Sequence, residues 1–338
     1  MTPLTFALAL YLLIALAVEP RQLIAQGNNR QAWSFYSSRE EWWLTNDDGC
    51  SIYVAEFGKG PPVIVIHGGF GAEHSYMVDA ISDIAPHYHV IFYDQRGSLR
   101  SPYHVFEKGG AEACPDSLIT ADRHISDLER LRRESGFDKV TLVAHSMGVF
   151  IALSYLQQFP DRVAGLILLA PGVPLKTVDD KQLLADQKAA ANSLFERPEI
   201  EIEKKKAGVD KPPLSAKQKM EEWRIRFASA NIYDLSRWRE LRGGMAFYNG
   251  RAGSDAGRTM PANYDFTEAL RNRRCPTTVI LGDHDIQDMG ARVIRQQTAG
   301  IPGVHLVVLK NAGHVLWIDQ PVAFSAALNK ALAECSAR

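Results

Sequence analysis

The chain has 338 residues, 46% of them hydrophobic and 23% charged, with a formal net charge of −1. That length can bury a sizeable core, as one large domain with an insertion or as two domains. Balanced charge gives no basic excess for nucleic acid and no acidic excess for disorder, and there is no internal repeat or long low-complexity tract.

The first element in chain order is apolar. Pro3 to Val18 carry no charge and one clearly polar side chain, Thr5, before Glu19 and Arg21. About 16 residues falls short of the roughly 20 that a membrane span needs. It suits the apolar region of a secretory signal, with cleavage near Ala15-Leu16-Ala17 or Ile24-Ala25, although no Lys or Arg precedes it. Residues 1–25 are therefore expected to be a signal peptide or an N-terminal anchor. The protein is then exported, periplasmic or secreted, and meets a membrane only through that segment. No cysteine lies there to carry a lipoprotein anchor.

Residues 41–46 and 51–57 read as strands joined by the turn signal Asn46-Asp47-Asp48-Gly49. Residues 62–66 form a short, wholly apolar run, as expected of a strand buried on both faces. Similar runs recur at 89–93, 140–144, 163–170, 277–281 and 304–309. Helical patterns lie between them at 74–84, 119–135, 147–159, 288–299 and 320–333. This alternation predicts a mostly parallel sheet with helices on both faces. Between Pro171 and Asn263 the rhythm stops. Helical sequence is expected there at 179–195, 201–206 and 215–238, with Gly243-Gly244 and 250–257 as loop.

The run at 140–144 ends in Ala144-His145-Ser146-Met147-Gly148, and a helical pattern follows at once. That is a strand, a tight turn and a helix, with small residues two places either side of the serine. Such a turn exposes the hydroxyl at a helix N-terminus, where backbone N–H groups can hold an oxyanion. Ser146 is the candidate nucleophile. A serine needs a base, and the base needs an orienting carboxylate. His314 follows the strand at 304–309 in Lys310-Asn311-Ala312-Gly313-His314; His284 and His305 are its competitors. The acid is Asp283 or Asp285 in Leu281-Gly282-Asp283-His284-Asp285, with Asp285 favoured because Gly282 lets the chain turn and later residues reach back over the sheet. The strand after the serine ends Leu169-Ala170-Pro171-Gly172 without a carboxylate. Read as a metal site, Asp-His-Asp has no companions at ligand spacing. The second oxyanion donor should lie in His67-Gly68-Gly69-Phe70-Gly71, pairing the Met147 N–H with that of Gly69 or Phe70. A dinucleotide loop would need a third glycine that is missing. His67 is expected to be structural.

His67-Gly68-Gly69, Asp94-Gln95-Arg96-Gly97, the elbow at Ser146, Gly282-Asp283-His284-Asp285 and Gly313-His314 together resemble the α/β-hydrolase superfamily over residues 40–337. The run Asp94 to Ser101 and residues 120–136 resemble its proline iminopeptidase branch. The elbow departs from that branch, which tends to Gly-Gly-Ser-Trp-Gly, and is similar to those of esterases. The branch's Glu-Asn-His-Tyr-Phe-like cap motif has no counterpart, since Gly244 to Tyr248 carry no charge. Glu221, Glu222 and Glu240 read as solvated helix residues.

The resemblance implies an α/β-hydrolase fold: a mostly parallel eight-stranded sheet flanked by helices, the core at 40–171 and 263–337, and a helical cap at 172–262 inserted after the sixth strand. It implies structural roles for Asp94 and Arg96. Four cysteines allow three pairings, and their spacing fits no zinc site. With the second strand beside the fourth, and the last helix near the seventh strand, the resemblance implies Cys50–Cys114 and Cys275–Cys335 in an exported protein. The expected function is a serine hydrolase forming an acyl-enzyme, with no cofactor and a small-molecule or short-peptide substrate. Proline iminopeptidase-like cleavage and carboxylesterase or lipase activity both stay open, as does a hydrolase-like ligand sensor. Trp223, Phe227, Trp238 and Phe247 are the expected pocket walls. Oligomeric state is open.

Overall fold

A computed structural model of the chain describes residues 36–81, 84–101, 104–107, 110–243, 248–288 and 291–336. The expected leader at 1–25 lies outside the described residues. Among them, no helix is long and apolar enough to cross a membrane.

Eight strands form the main sheet: β1 (Glu40–Thr45), β2 (Ser51–Phe57), β3 (Pro62–Ile66), β4 (His89–Tyr93), β7 (Val140–Ser146), β8 (Val163–Pro171), β9 (Thr277–Gly282) and β10 (Val304–Leu309). Their order is β1-β2-β4-β3-β7-β8-β9-β10. β2 pairs antiparallel with β1 and β4, and every other pairing is parallel. A short hairpin, β5 (His104–Glu107) and β6 (Gly110–Ala113), stands apart from this sheet.

The central strands are largely apolar because both faces are covered, and alternate side chains feed different cores. On one face Val143, Ile167 and Ile280 pack with Phe324, Leu328 and Leu332 of α10 (Pro321–Ser336). On the other, Leu142, Leu168 and Leu281 pack with Leu128 of α1 (Ala121–Glu134) and Ile151 of α2 (Gly148–Gln158). Each fully buried leucine or isoleucine contributes about 1.5–3 kcal/mol. Met147 occupies the N-cap position of α2 without a side-chain cap, so the first N–H groups of that helix are not taken up by a capping side chain.

Between β8 and β9 run α3 (Lys181–Leu194), α4 (Pro198–Ala207), α5 (Ala216–Asn231), a 3₁₀ turn at Leu235–Glu240, α6 (Gly250–Arg258) and α7 (Thr267–Asn272). Two expectations fail here. The helix expected over 215–238 stops at Asn231, because the N–H groups of Tyr233 and Asp234 turn to the Asp319 carboxylate. The loop expected at 250–257 is helix α6, started by the Asn249 side chain. Gly253 serves close packing: a Cβ on it would stand 2.5 Å from the Phe70 carbonyl oxygen. The helix expected at 74–84 is also absent, and two 3₁₀ turns, His74–Met77 and Asp79–Ile81, take its place. His74 is pinned there, its N–H and Nδ1 both bonded to Asp94. Downstream, α8 (Arg292–Thr298) precedes β10, and α9 (Leu316–Asp319) precedes α10.

Cys50 and Cys114 form a disulfide, with Cα atoms 5.2 Å apart. The expected Cys275–Cys335 bond is not formed. Cys335 instead seats its sulfur on β8 at Gly165, where a Cβ would lie 2.2 Å from Sγ. Burial, and then the nearby Cys275, push the Cys335 thiol up to about 12, which favours the protonated thiol.

Candidate active site

Ser146 has φ 54°, in the left-handed region that a residue with a side chain rarely enters. The β7–β8 register shifts between His145 and Ser146, which turns the serine out of the strand. Three glycines make room for this. A Cβ on Gly148 would stand 2.6 Å from the His67 carbonyl oxygen, and one on Gly68 would stand 2.6 Å from Ser146 Cβ. One on Gly172 would stand 2.7 Å from Ser146 Oγ and 3.0 Å from Met147 N. The strain of the turn costs on the order of 1–2 kcal/mol.

His314 and Asp285 meet as expected from the sequence. Asp285 is fully buried, and its Oδ2 lies 2.9 Å from His314 Nδ1 while Oδ1 accepts the Gln287 N–H at 3.0 Å. An ionised carboxylate only accepts, so Nδ1 of His314 carries the proton and Nε2 is the basic nitrogen. Asp283 is taken by His284 at 2.6 Å, and His305 is exposed and paired with Glu334. Gly282 is needed for close approach, since a Cβ there would lie 2.0 Å from the Ala312 carbonyl oxygen. The histidine loop is held on both sides of His314. Gly313 N–H donates to Asp319 at 2.8 Å, and Val315 N–H donates to the Asn231 carbonyl at 2.9 Å.

Ser146 and His314 line one cavity of about 330 Å³ together with Gly68, Gly69 and Tyr76. Phe195, Phe227, Asn231, Leu241 and Arg242, all from the segment between β8 and β9, supply the facing wall. Phe70 does not line it; its ring stacks on His124 with centroids 4.9 Å apart. Of the expected walls, Phe227 is present and Trp223 stacks behind it at 5.3 Å. Trp238 is not a wall: it is fully buried, with Arg224 and Arg239 set over its ring. Phe247 lies outside the described residues. The acids Glu222 and Glu240 pair with Lys204, Arg226 and Arg237, and neither they nor Glu221 line the cavity.

The bracing residues fall where the sequence put them. His67 is fully buried; its Nε2 accepts the Gln95 N–H at 3.0 Å and its Nδ1 donates to the Gly68 carbonyl at 3.0 Å. Arg96 grips both oxygens of Asp127 and bonds Asp48 at 3.0 Å, tying α1 to the β1–β2 turn. Asp94 accepts from His74 and from the Arg100 N–H. Among the described residues, Glu73, His74 and Asp94 are the one group close enough to hold a metal ion. Both ring nitrogens of His74 are engaged, by Asp94 at 2.6 Å and by the Tyr36 hydroxyl at 2.7 Å, so the trio fits a structural clasp better.

Sequence reasoning passed over Tyr76, His145 and Asp319. His145 was open to discovery as the neighbour of the nucleophile. Tyr76 and Asp319 carry no local signal, because only the folded chain brings them to the loops they hold.

The family model described as the alpha/beta hydrolase fold matches residues 61–321. A proline iminopeptidase from Heyndrickxia coagulans is 25% identical over 286 residues, covering 81% of this chain and 91% of that protein. Among solved structures, a proline iminopeptidase-related protein from Thermus thermophilus is 26% identical with a TM-score of 0.58, covering 88% of this chain and 98% of that one. A thermophilic esterase from Thermogutta terrifontis has a TM-score of 0.60 at 21% identity, covering 88% and 99%. This likeness concerns the fold.

Proposed function

The chain belongs to the alpha/beta hydrolase family, and on that premise we propose that it is a serine hydrolase that cleaves an ester bond through an acyl-enzyme intermediate. The observation that carries this reading is the buried Asp285–His314 pair opening onto the same cavity as the strained Ser146.

In this mechanism His314 Nε2 takes the proton of Ser146 as Oγ attacks the carbonyl carbon. Asp285 holds the imidazole by Nδ1 and stabilises the imidazolium. The oxyanion is received by the N–H groups of Met147 and Gly69. Gly69 is preferred to Phe70 on two grounds. It lines the cavity, and the Gly68 carbonyl faces His67, so the Gly69 N–H across that trans peptide points the opposite way. The imidazolium then protonates the leaving group. Its neutral form next activates water, which attacks the acyl-enzyme and frees Ser146. No cofactor takes part.

The choice of ester over N-terminal peptide rests on charge. The described cavity lining holds Arg242 but no carboxylate, and the stretch 244–247 carries no charge. A substrate with a free ammonium group would meet no carboxylate among the described lining residues. The likeness to proline iminopeptidases supports the second reading, amide cleavage at an N-terminal residue. A panel of p-nitrophenyl esters of rising chain length, set against aminoacyl-arylamides including proline, separates the two. Ester turnover is expected, and turnover of arylamides alone would replace the ester reading with the peptidase one. We further propose that residues 172–262 act as a cap that sets specificity. We also propose export, supported by the apolar run at 3–18 and by the Cys50–Cys114 disulfide.

A further inference from the structure

Three hydrogen bonds run from the glycine loop to the backbone of His314. Gly68 N–H donates to the Tyr76 hydroxyl oxygen at 2.8 Å. That hydroxyl stands 2.6 Å from His145 Nδ1, and His145 Nε2 stands 3.1 Å from the His314 carbonyl oxygen. Chemistry fixes the direction of each. A carbonyl oxygen only accepts, so His145 Nε2 carries a proton. His145 is buried, and burial followed by the nearby His314 holds its pKa well below the ordinary histidine range, so the ring is neutral and Nδ1 is bare. Tyr76 must then give its one proton to Nδ1 and receive the Gly68 N–H on its oxygen. Every donor in the chain has its acceptor.

We propose that Tyr76 and His145 are positioning residues that lock the oxyanion loop and the catalytic base into one frame. Tyr76 consumes the Gly68 N–H, which fixes the orientation of the loop and leaves Gly69 to serve the cavity. His145 holds the backbone of His314 from below. Its ring lies 4.8 Å from that of His314, and being neutral it does not repel the imidazolium that forms in the reaction. The distance between oxyanion donor and base is thus set by a two-residue relay whose ends are the two loops. The proposal rests on the serine-hydrolase reading of Ser146 and His314.

The test measures turnover of a p-nitrophenyl ester or arylamide that the wild type cleaves, and the rate of fluorophosphonate labelling. The variants are Tyr76→Phe, His145→Leu, His145→Gln and the double Tyr76→Phe/His145→Leu. Expected kcat losses are about tenfold for Tyr76→Phe and about a hundredfold for His145→Leu, with KM within about twofold. His145→Gln, which keeps a donor for the His314 carbonyl, should recover part of the loss. The double variant should be no worse than His145→Leu, because both changes break one chain. Additive losses, an effect on KM alone, or unchanged rates would overturn the proposal. A wild type that neither hydrolyses nor labels would overturn the hydrolase reading and this proposal with it. Nitrogen NMR of the wild-type imidazoles needs no variant to fold. It should find His145 as the neutral Nε2–H tautomer, and an Nδ1–H or charged ring at neutral pH would contradict the relay.

Discussion

At Gly172 the absence of one methyl group keeps the site open. The alanine methyl would sit 2.7 Å from Ser146 Oγ and 3.0 Å from Met147 N, the proposed nucleophile and oxyanion donor. Gly172→Ala is expected to lower kcat/KM by roughly a hundredfold or more while leaving the melting temperature within a few degrees; unchanged kinetics would mean that the hole lies elsewhere. Asp285→Asn tests a different link. The amide can present an N–H to His314 Nδ1 and stabilise the wrong tautomer, so kcat should drop about a thousand- to ten-thousandfold. A loss of less than tenfold would mean that Asp285 does not orient the base. Ser146, His314 and Asp285 were legible in the sequence because each sits just past a buried strand, at a glycine-marked turn. Gly172 was legible only as a strand end without a carboxylate, since its role depends on contact with a turn 26 residues away.

Among elements, the loop bearing His314 is tied to the segment after α5 through Asp319. That carboxylate accepts the N–H groups of Gly313, Tyr233 and Asp234 at 2.8, 2.8 and 3.2 Å. Asp319→Ala breaks all three hydrogen bonds and is expected to cost about 2 kcal/mol of stability. It should also lower kcat by loosening the base. Urea unfolding and steady-state kinetics read the two effects, and a stability loss with kcat intact would show that this tie does not position His314. Six of the eight strands were readable as continuous apolar runs, and β1 and β2 by the turn signal between them. The helices between β8 and β9 were harder. Gly250 to Gly257 look like loop by composition, and the close approach of α6 to the Phe70 carbonyl explains Gly253. The resemblance implies both disulfides; Cys50–Cys114 forms, whereas Cys335 turns its sulfur to Gly165, a side-chain direction that the family pattern does not carry.

For the molecule as a whole, three buried histidines link folding to pH. Burial lowers the pKa of His67, His124 and His145 below the ordinary value. In the unfolded chain each protonates near pH 6.5. Below that value the unfolded state binds more protons, so the stability present at pH 7 is lost as the pH falls, by up to about 1.4 kcal/mol per pH unit for each histidine. Asp94, whose pKa burial raises but His74 brings down overall, adds a loss of the same sign at lower pH. Urea midpoints should therefore decline from pH 7 to pH 5, and a flat or rising profile would contradict the buried neutral state. The fold, the Asp285–His314 contact and the bracing His67 were readable because each rests on local patterns in a fixed order. The cavity's facing wall was not, since it depends on how α3, α5 and the loops around them settle over the sheet. Whether Ser146 is the nucleophile can be read by mass spectrometry after fluorophosphonate treatment. A single adduct on the peptide containing Ser146, absent from Ser146→Ala, is expected; an unlabelled wild type, or an adduct on another residue, would rule Ser146 out as the nucleophile.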